Sequence, residues 1–455
     1  MRQASQERLQ PPIQIVAPSA RIRHRDHPRL SPWHAKPRTH AAFPQPAKVV
    51  LVNVYFPPQA VGGATRVVQS NLDQFLEHAG ERYEFAVAAV DEHATVPDDP
   101  EAPYDTRIDA YRGIPVYRIS APVERNMIWR PFNPRMRESF EALLDRFEPD
   151  LIHFHCIQRL TATIVEIARA RAIPYIVTLH DAWWISDFQF LIDESGQFHK
   201  PSPDPFVDAS DPSIPATESV ARRLSLKSTL DGARELLAVS ETFAKLYRRA
   251  GFPRTLTVAN GVPRLATPPR RLNWTRQVRL GHIGGRTTHK GATLIEIVLR
   301  AGRFPNLALT IVDHAESSSY RRKEVWGETP VEIVGFVPHD RIADLYAQLD
   351  VLLAPSLWPE SFGLVTREAR AAGLWVVASD RGAIGEDIKH EVDGFRISVD
   401  GPKELCAVLA RINADPVRYQ QSPPQPERPV RTMIDQAHDL LMLYDKLFDQ
   451  ARADE

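Results

Sequence analysis

The chain carries the sequence WPESFGLVTREARAAG from Trp358 to Gly373, and this is its most informative stretch. Two carboxylates, Glu360 and Glu368, lie eight residues apart in it. The early proline and glycine predict a loop, and the Leu, Val, Arg, Glu and Ala residues that follow are good helix formers. We therefore expect Glu360 in the loop and Glu368 about one turn inside a helix.

This arrangement indicates a site for a phosphorylated sugar ligand. A helix N-terminus presents unpaired N–H groups and a positive dipole end, so it binds an anion such as phosphate. The loop carboxylate can then contact a sugar, and the helical carboxylate can accept hydrogen bonds from a ribose diol. A surface helix with solvated acids is the alternative interpretation.

Apolar runs and helical patterns alternate through the rest of the chain. One series of strand-like runs extends from Val49 to Val239, and a second extends from Arg279 to Ser379. Continuous apolar strands separated by helices are typical of parallel βαβ units. The two series predict two doubly wound α/β domains, with a hinge near residues 260–269. Past Pro429, an apolar stripe with the helical period predicts a last packing helix.

Composition is that of a globular protein and excludes several classes. The chain has 455 residues, of which 43% are hydrophobic and 25% charged, so two or three domains are expected. A net charge of −1 argues against nucleic acid as a partner. Two cysteines are too few for a disulfide framework, and no apolar run approaches the ~18 residues of a membrane helix. We therefore expect a cytoplasmic protein, and no motif predicts a structural metal.

Three segments stand apart from the α/β pattern. Residues 1–46 are rich in Pro, Arg and His and predict a disordered basic arm, with attraction to a polyanion as the alternative. The Pro-rich residues 194–215 predict a lid, a binding element or a disordered insertion. Residues 243–254 form a basic amphipathic stretch, which fits a solvated helix face or peripheral contact with an anionic membrane.

Two glycine-containing loops follow predicted strands. The loop from Gly284 to Gly291 precedes a helix, so its glycines let backbone approach a phosphate closely. Within it, Lys290 supplies a flexible point charge and Arg286 a planar fork that can hold two oxygens. A Gly-Gly pair at residues 62–63 joins the first strand to the first helix and allows a similar approach.

Polar and aromatic residues follow another predicted strand. His180 and Asp181 come directly after the run that ends at Leu179, where open α/β sheets bind ligands. Trp183 and Trp184 come next. These indoles either stack on a sugar face or pack under the loop.

Together these segments resemble the motifs of retaining glycosyltransferases of family 4, which have the GT-B fold. The E-x7-E stretch, the Gly-Gly…His-Lys-Gly loop and the T-L-H-D motif occur in the family's order, and the resemblance covers nearly everything but the arm. Arg286 lies one residue closer to the lysine than in the commoner spacing, and Ala259 replaces a proline of the family's P-N-G-V segment. The resemblance implies two Rossmann-like domains that face across a cleft, at residues 47–262 and 270–425, with a helix at residues 430–452 that crosses back onto the first.

The resemblance also implies the reaction and its residues. The second domain would bind a nucleoside-diphosphate sugar, and the first would bind a glycan or lipid-linked acceptor, without a metal or other cofactor. Transfer with retention would serve surface polysaccharide or glycolipid assembly in the cytoplasm or at the inner face of the plasma membrane. The implied residues are, for catalysis, His180, Lys290, Glu360 and Arg286; for the donor, Gly62, Gly63, Gly285, Glu368, Phe362, Gly363 and Leu364; and for the acceptor or a lid, Asp181, Trp183 and Trp184.

Two rival functions are compatible with the same residues. One is a catalytically silent GT-B protein that binds a sugar nucleotide in a regulatory or assembly role. The other is a protein that binds a glycan or lipid polymer through its tryptophans and basic surface. Binding of a nucleotide sugar without turnover would favour the first, and glycan binding indifferent to nucleotide would favour the second.

Overall fold

The structure is a computed structural model that describes residues 46–59, 62–91, 104–121, 126–264, 277–426 and 428–453. The arm predicted at residues 1–46 lies outside the described residues, except for its last residue. The hinge predicted at residues 260–269 is described only through residue 264.

The first domain is built on a sheet of short apolar strands. Within the described residues they are β1 (Ala47–Val52), β2 (Tyr83–Val90), β3 (Thr106–Tyr111), β4 (Ile114–Ile119), β5 (Leu151–Phe154), β6 (Tyr175–Leu179), β7 (Glu235–Ala238) and β8 (Leu256–Thr257). Their order is β3-β4-β2-β1-β5-β6-β7-β8, and only β3 with β4 is antiparallel. The helices of this domain are α1 (Gly62–Ala79), α2 (Met136–Phe147), α3 (Thr163–Ala170), α4 (Ala216–Asp231) and α5 (Glu241–Arg249).

The second domain repeats this plan. Its described strands are β9 (Val278–His282), β10 (Leu307–Val312), β11 (Arg321–Trp326), β12 (Thr329–Val334), β13 (Val351–Ala354), β14 (Trp375–Ser379) and β15 (Phe395–Ile397). They follow the order β11-β12-β10-β9-β13-β14-β15, with β11 antiparallel to β12. The remaining helices are α6 (Ala292–Ala301), α7 (Ile342–Tyr346), α8 (Leu364–Ala371), α9 (Lys403–Ala414), α10 (Pro416–Gln420) and α11 (Met433–Ala453).

The central strands of each sheet are buried on both faces, as the sequence predicted. In β1, Val50 and Val52 belong to one hydrophobic cluster, whereas Val49 and Leu51 belong to the cluster on the other face. This alternation follows from the two-residue period of a strand. The strand order reverses beside β1 and beside β9, so a ligand crevice is expected beyond the carboxyl ends of these strands.

The last helix, α11, packs on the first domain. Its apolar residues Ala437, Leu440 and Tyr444 join the cluster that contains the outer face of β1. The Tyr444 ring lies 5.7 Å from the Phe75 ring of α1, centre to centre. Both domains belong to one compact unit. The prediction of two doubly wound domains with a helix that crosses back is therefore confirmed.

The structure narrows the interpretation of two predicted segments. Residues 194–215 are held to the first domain, because buried Arg223 donates to the Pro205 carbonyl (2.9 Å), which disfavours a disordered insertion and leaves the lid and the binding element. In the basic stretch at residues 243–254, Phe243 and Tyr247 are buried in the core, whereas Lys245 and Arg249 are exposed. This arrangement favours the solvated helix face, and the two aromatic side chains are not available to a membrane.

Candidate functional site

The loop after β9 is fixed from beneath by a buried histidine. His282 contacts the carbonyl oxygens of Leu353 (Nδ1, 2.9 Å) and Gly285 (Nε2, 3.1 Å). Burial lowers the pKa of His282, and the neutral ring donates to only one of these two carbonyls. Gly285 has φ +72°, and no atom lies within 4 Å of where a Cβ would be, but the residue is buried and its N–H donates to the Val312 carbonyl at 3.1 Å. The glycine therefore shapes the turn, and its own amide is not free for a ligand.

Lys290 ends a short 3₁₀ turn in this loop and reaches the neighbouring loop. Its Nζ lies 3.0 Å from Oε1 of Glu360 and 4.5 Å from the centre of the Trp358 ring. The next residue, Gly291, has φ +87°, and a Cβ there would lie 2.1 Å from the Pro355 carbonyl oxygen. The two loops therefore meet at Gly291, and this contact brings Lys290 and Glu360 together.

Glu360 lies in a loop, as predicted, and is held on several sides. Ser356 donates a hydrogen bond to the same carboxylate oxygen that pairs with Lys290. The Glu360 carbonyl accepts from Ala383 N (2.7 Å). Gly382, with φ +68°, lets the Gly-rich loop after β14 approach, since a Cβ there would lie 2.4 Å from that carbonyl oxygen.

The helix α8 begins directly after this loop, with Gly363 in the left-handed region (φ +86°) as its N-cap. No side chain among the described residues caps it, so its first amides can bind an anion. Glu368 lies one turn inside, as predicted. The Phe362 ring, however, is buried with Val239 and Val262 of the first domain, and an arginine stacks on it. Its side chain therefore packs the domain junction and does not line an open donor site.

The first domain presents its glycine turn to this helix. Gly62 has φ +75° and begins α1. A Cβ on Gly63 would lie 3.2 Å from Cδ1 of Leu364, the first residue of α8. The N-termini of α1 and α8 thus meet across the two domains.

Arg66 of α1 was missed by sequence reasoning. Its Nη2 donates to Oε1 of Glu368 at 2.5 Å, across the domain boundary. The other carboxylate oxygen, Oε2, accepts from the Tyr346 hydroxyl at 2.9 Å. An arginine one turn after the Gly-Gly pair was the available signal, but its partner lies 302 residues away.

His180 directly follows β6 and belongs to a stack of histidines. Its Nε2 lies 3.0 Å from Nδ1 of His155, and the His155 ring lies 4.1 Å from that of His153, centre to centre. Burial lowers the pKa of His180 to about 4 and that of His153 to about 3, so both are neutral near pH 7. Among the described hydrogen bonds and ion pairs, none joins His180 to Lys290, Glu360 or Glu368.

The residues after His180 serve packing rather than an exposed platform. Trp183 and Trp184 are 1% and 3% exposed, and Trp183 Nε1 donates to the Ile128 carbonyl at 2.5 Å. Asp181 accepts from the side-chain amides of Gln158 and Gln189, both at 2.8 Å. Of the two interpretations of the indoles, packing is correct, and the expected acceptor role of these three residues is not supported.

Arg286 and Phe190 are the more accessible side chains near this region. Arg286 is exposed and makes no ion pair within the described residues. Phe190, in the loop after β6, lies 4.3 Å from the Trp358 ring, centre to centre, and is 40% exposed. An aromatic side chain of the first domain therefore reaches Trp358, in the loop that carries Glu360.

The described residues contain no group of three or more His, Cys, Asp or Glu side chains that could hold a metal ion. None of the helices in that part of the chain combines the length and apolar character needed to cross a bilayer.

Two Rossmann-like domains, with paired glycine loops and helix N-termini facing each other, define the GT-B class of fold. Sucrose-phosphate synthase from Thermosynechococcus elongatus has this fold, with a TM-score of 0.68 and 19% identity over 89% of this chain and 100% of that chain. Anabaena HepE, solved in complex with UDP and glucose, gives a TM-score of 0.57 and 16% identity over 88% of this chain and 99% of that chain.

The chain belongs to the glycosyl transferases group 1, whose model matches residues 277–425, and a glycosyl transferase 4-like domain matches residues 62–261. An uncharacterized glycosyltransferase of Methanocaldococcus jannaschii is 40% identical over 85 residues, which are 19% of this chain and 22% of that relative. Phosphatidyl-myo-inositol mannosyltransferase of Mycobacterium tuberculosis is 35% identical over 108 residues, or 24% of this chain and 29% of that relative. These matches thus span less than a third of either relative's length.

Proposed function

We propose that the protein is a glycosyltransferase that moves a sugar from a nucleoside-diphosphate sugar to an acceptor hydroxyl with retention of anomeric configuration. The observation that carries this proposal is the contact of Lys290 with Glu360 (Nζ to Oε1, 3.0 Å) in the loop that leads into α8. A cation close to uncapped helix amides suits a departing diphosphate. The names of the two relatives support glycosyl transfer, and the UDP and glucose bound to HepE support a nucleotide sugar as the donor.

In this proposal, the second domain stabilises the leaving group. Lys290, Arg286 and the amides of α8 offset the diphosphate charge without a divalent ion or other cofactor. Glu368 accepts hydrogen bonds from the ribose diol, and Glu360 orients sugar hydroxyls or phosphate. His180 contacts the donor sugar near the reacting carbon as a neutral imidazole, because burial lowers its pKa to about 4.

Retention follows from attack on the face that the diphosphate leaves. The acceptor oxygen bonds to the anomeric carbon as the bond to the diphosphate oxygen breaks, and the acceptor proton passes to the leaving phosphate. Closure of the two domains excludes water, which otherwise hydrolyses the donor. No enzymatic nucleophile is required by this route.

We further propose a glycan or lipid-linked acceptor in the assembly of a surface polysaccharide or glycolipid. The mycobacterial relative supports this choice, since its name specifies transfer of mannose to an inositol phospholipid. The reaction would take place in the cytoplasm, or at the inner face of the plasma membrane when the acceptor is a lipid.

The test is turnover of UDP-, GDP-, ADP- and dTDP-sugars with a panel of glycan and lipid acceptors, followed by NMR of the products. We expect transfer from one nucleotide class and an unchanged anomeric configuration. An inverted product would overturn retention. Binding of a nucleotide sugar with no turnover across the panel would instead indicate the catalytically silent protein, and nucleotide-indifferent glycan binding would indicate the polymer-binding one.

A further inference from the structure

Arg66 connects the two domains at the carboxylate that our proposal assigns to the ribose. Its Nη2 lies 2.5 Å from Oε1 of Glu368, whose side chain is 1% exposed. The Tyr346 hydroxyl occupies the other oxygen at 2.9 Å. A ribose diol that binds Glu368 must therefore share or replace the contact with Arg66.

The Arg66 guanidinium also has unused hydrogen-bonding capacity. Its Nε is buried and lacks a hydrogen-bond partner within the described residues. A buried donor without a partner is uncommon and calls for an explanation, such as a ligand that completes the site. A guanidinium presents a rigid fork of N–H groups that matches the oxygens of a carboxylate or of a phosphate, so a diphosphate can take the place of the Glu368 carboxylate.

Arg66 lies where the two helix N-termini meet. It follows the Gly62–Gly63 turn by about one helical turn, and Gly63 faces Leu364 at the start of α8. Its Nη2 also lies 3.4 Å from Nε2 of His339, in the turn before α7. A diphosphate at the first amides of α8 would therefore be within reach of this side chain.

We propose that Arg66 is a donor-binding residue supplied by the first domain, and that it exchanges Glu368 for the diphosphate when a nucleotide sugar binds. This inference rests on the proposed function. The diphosphate attracts the guanidinium, and the released carboxylate oxygen then accepts from the ribose. Domain closure thus depends on the diphosphate of the donor rather than on its nucleoside.

Calorimetric titrations with matched pairs test this inference: uridine and UDP, guanosine and GDP, adenosine and ADP, thymidine and dTDP. For the base that the wild-type protein binds, Arg66→Ala should lower the affinity for the nucleoside diphosphate by about 10- to 100-fold, because a charge-assisted contact is lost. The affinity for the nucleoside should be unchanged or higher, because Glu368 becomes free. Arg66→Lys keeps the charge without the fork and should lose an intermediate amount. The matched control is Arg112→Ala, which should change the affinity for neither ligand. Arg112 is exposed and pairs with Asp73, which lies on the same helix as Arg66.

The outcomes separate the two proposals. The role of Arg66 would be overturned if Arg66→Ala, with wild-type thermal stability, lost the same affinity for nucleoside and diphosphate. It would also be overturned if that variant lost affinity for neither. If Arg66→Ala does not fold, Arg66→Lys decides, since unchanged diphosphate affinity there contradicts a bidentate phosphate contact. A wild-type protein that binds none of the four diphosphates would overturn the proposed function itself.

Discussion

The Nζ of Lys290 lies 3.0 Å from Oε1 of Glu360, so the loops after β9 and β13 are joined by an ion pair. The lysine side chain is 28% exposed and the carboxylate 10%, so the lysine is the more accessible partner. A partly exposed lysine can exchange a carboxylate for a more highly charged diphosphate without a change in the backbone. The pair is thus compatible with a cation already positioned for the leaving group.

Replacement of this cation should reduce transfer sharply. We expect Lys290→Ala to lower kcat by roughly 10²–10³, because one preorganised partner of the leaving group is removed. Steady-state kinetics with the preferred nucleotide sugar measure the loss, and circular dichroism checks the fold. Lys245→Ala, which removes an exposed lysine of α5, is the control and should retain wild-type kcat. Near-normal turnover of Lys290→Ala would remove the lysine from the mechanism.

Gly382 should tolerate no side chain. A Cβ there would lie 2.4 Å from the Glu360 carbonyl oxygen, and its φ of +68° is unfavourable for other residues. We expect Gly382→Ala to lower the free energy of unfolding by ~1–3 kcal/mol and to weaken nucleotide binding, because the Glu360 loop must move. Urea unfolding and calorimetry measure the two effects.

Gly401→Ala is the matched control for this substitution, since a Cβ there meets no atom within 4 Å. It should change neither the unfolding free energy nor nucleotide affinity appreciably. If the two alanine variants behave alike, the close approach at Gly382 does not position Glu360.

The stacked histidines should make the fold acid-sensitive. Burial lowers the pKa of His180 to about 4 and that of His153 to about 3, from an ordinary value of 6.5. As pH falls below 6.5, the unfolded chain therefore takes up protons that the folded protein does not, and stability declines until the pH reaches the folded values. Urea unfolding at pH 7.5 and 5.5 should give a lower free energy of unfolding at pH 5.5.

Variants can assign this pH dependence. His153→Gln should reduce the difference between the two pH values, whereas His438→Gln, at an exposed position of α11, should not. Equal pH dependence in wild type and His153→Gln would mean that other groups cause the loss of stability.

The sequence predicted the central strands and the loops after them because their residues are continuously apolar or carry distinctive glycines. The second series of apolar runs contains the residues Leu307–Val312, which form strand β10 in the structure. The edge strands β3 and β11 escaped notice because they are polar: β11 has the sequence RRKEVW, with mostly exposed side chains. An edge strand needs burial on fewer sides, so its sequence carries a weaker signal.

What the sequence could not predict are contacts made by distant parts of the chain. The partner of Arg66 lies 302 residues away on the other domain, and no local pattern encodes that distance. From the sequence, Trp183 and Trp184 could either form a platform for a sugar or pack in the core. The buried guanidinium of Arg222, whose Cζ lies 4.9 Å from the centre of the Trp183 ring, shows that they pack in the core. The helix α4, which carries Arg222, was missed because its inward face is rich in polar residues.

The central claim is that the diphosphate of a nucleotide sugar binds between Lys290 and the first amides of α8. A crystal structure of the protein with the nucleotide sugar that it turns over tests this claim most directly. We predict phosphate oxygens about 2.7–3.0 Å from Lys290 Nζ and from the amides at the start of α8. A nucleotide bound elsewhere, with Lys290 still paired to Glu360, would contradict the account.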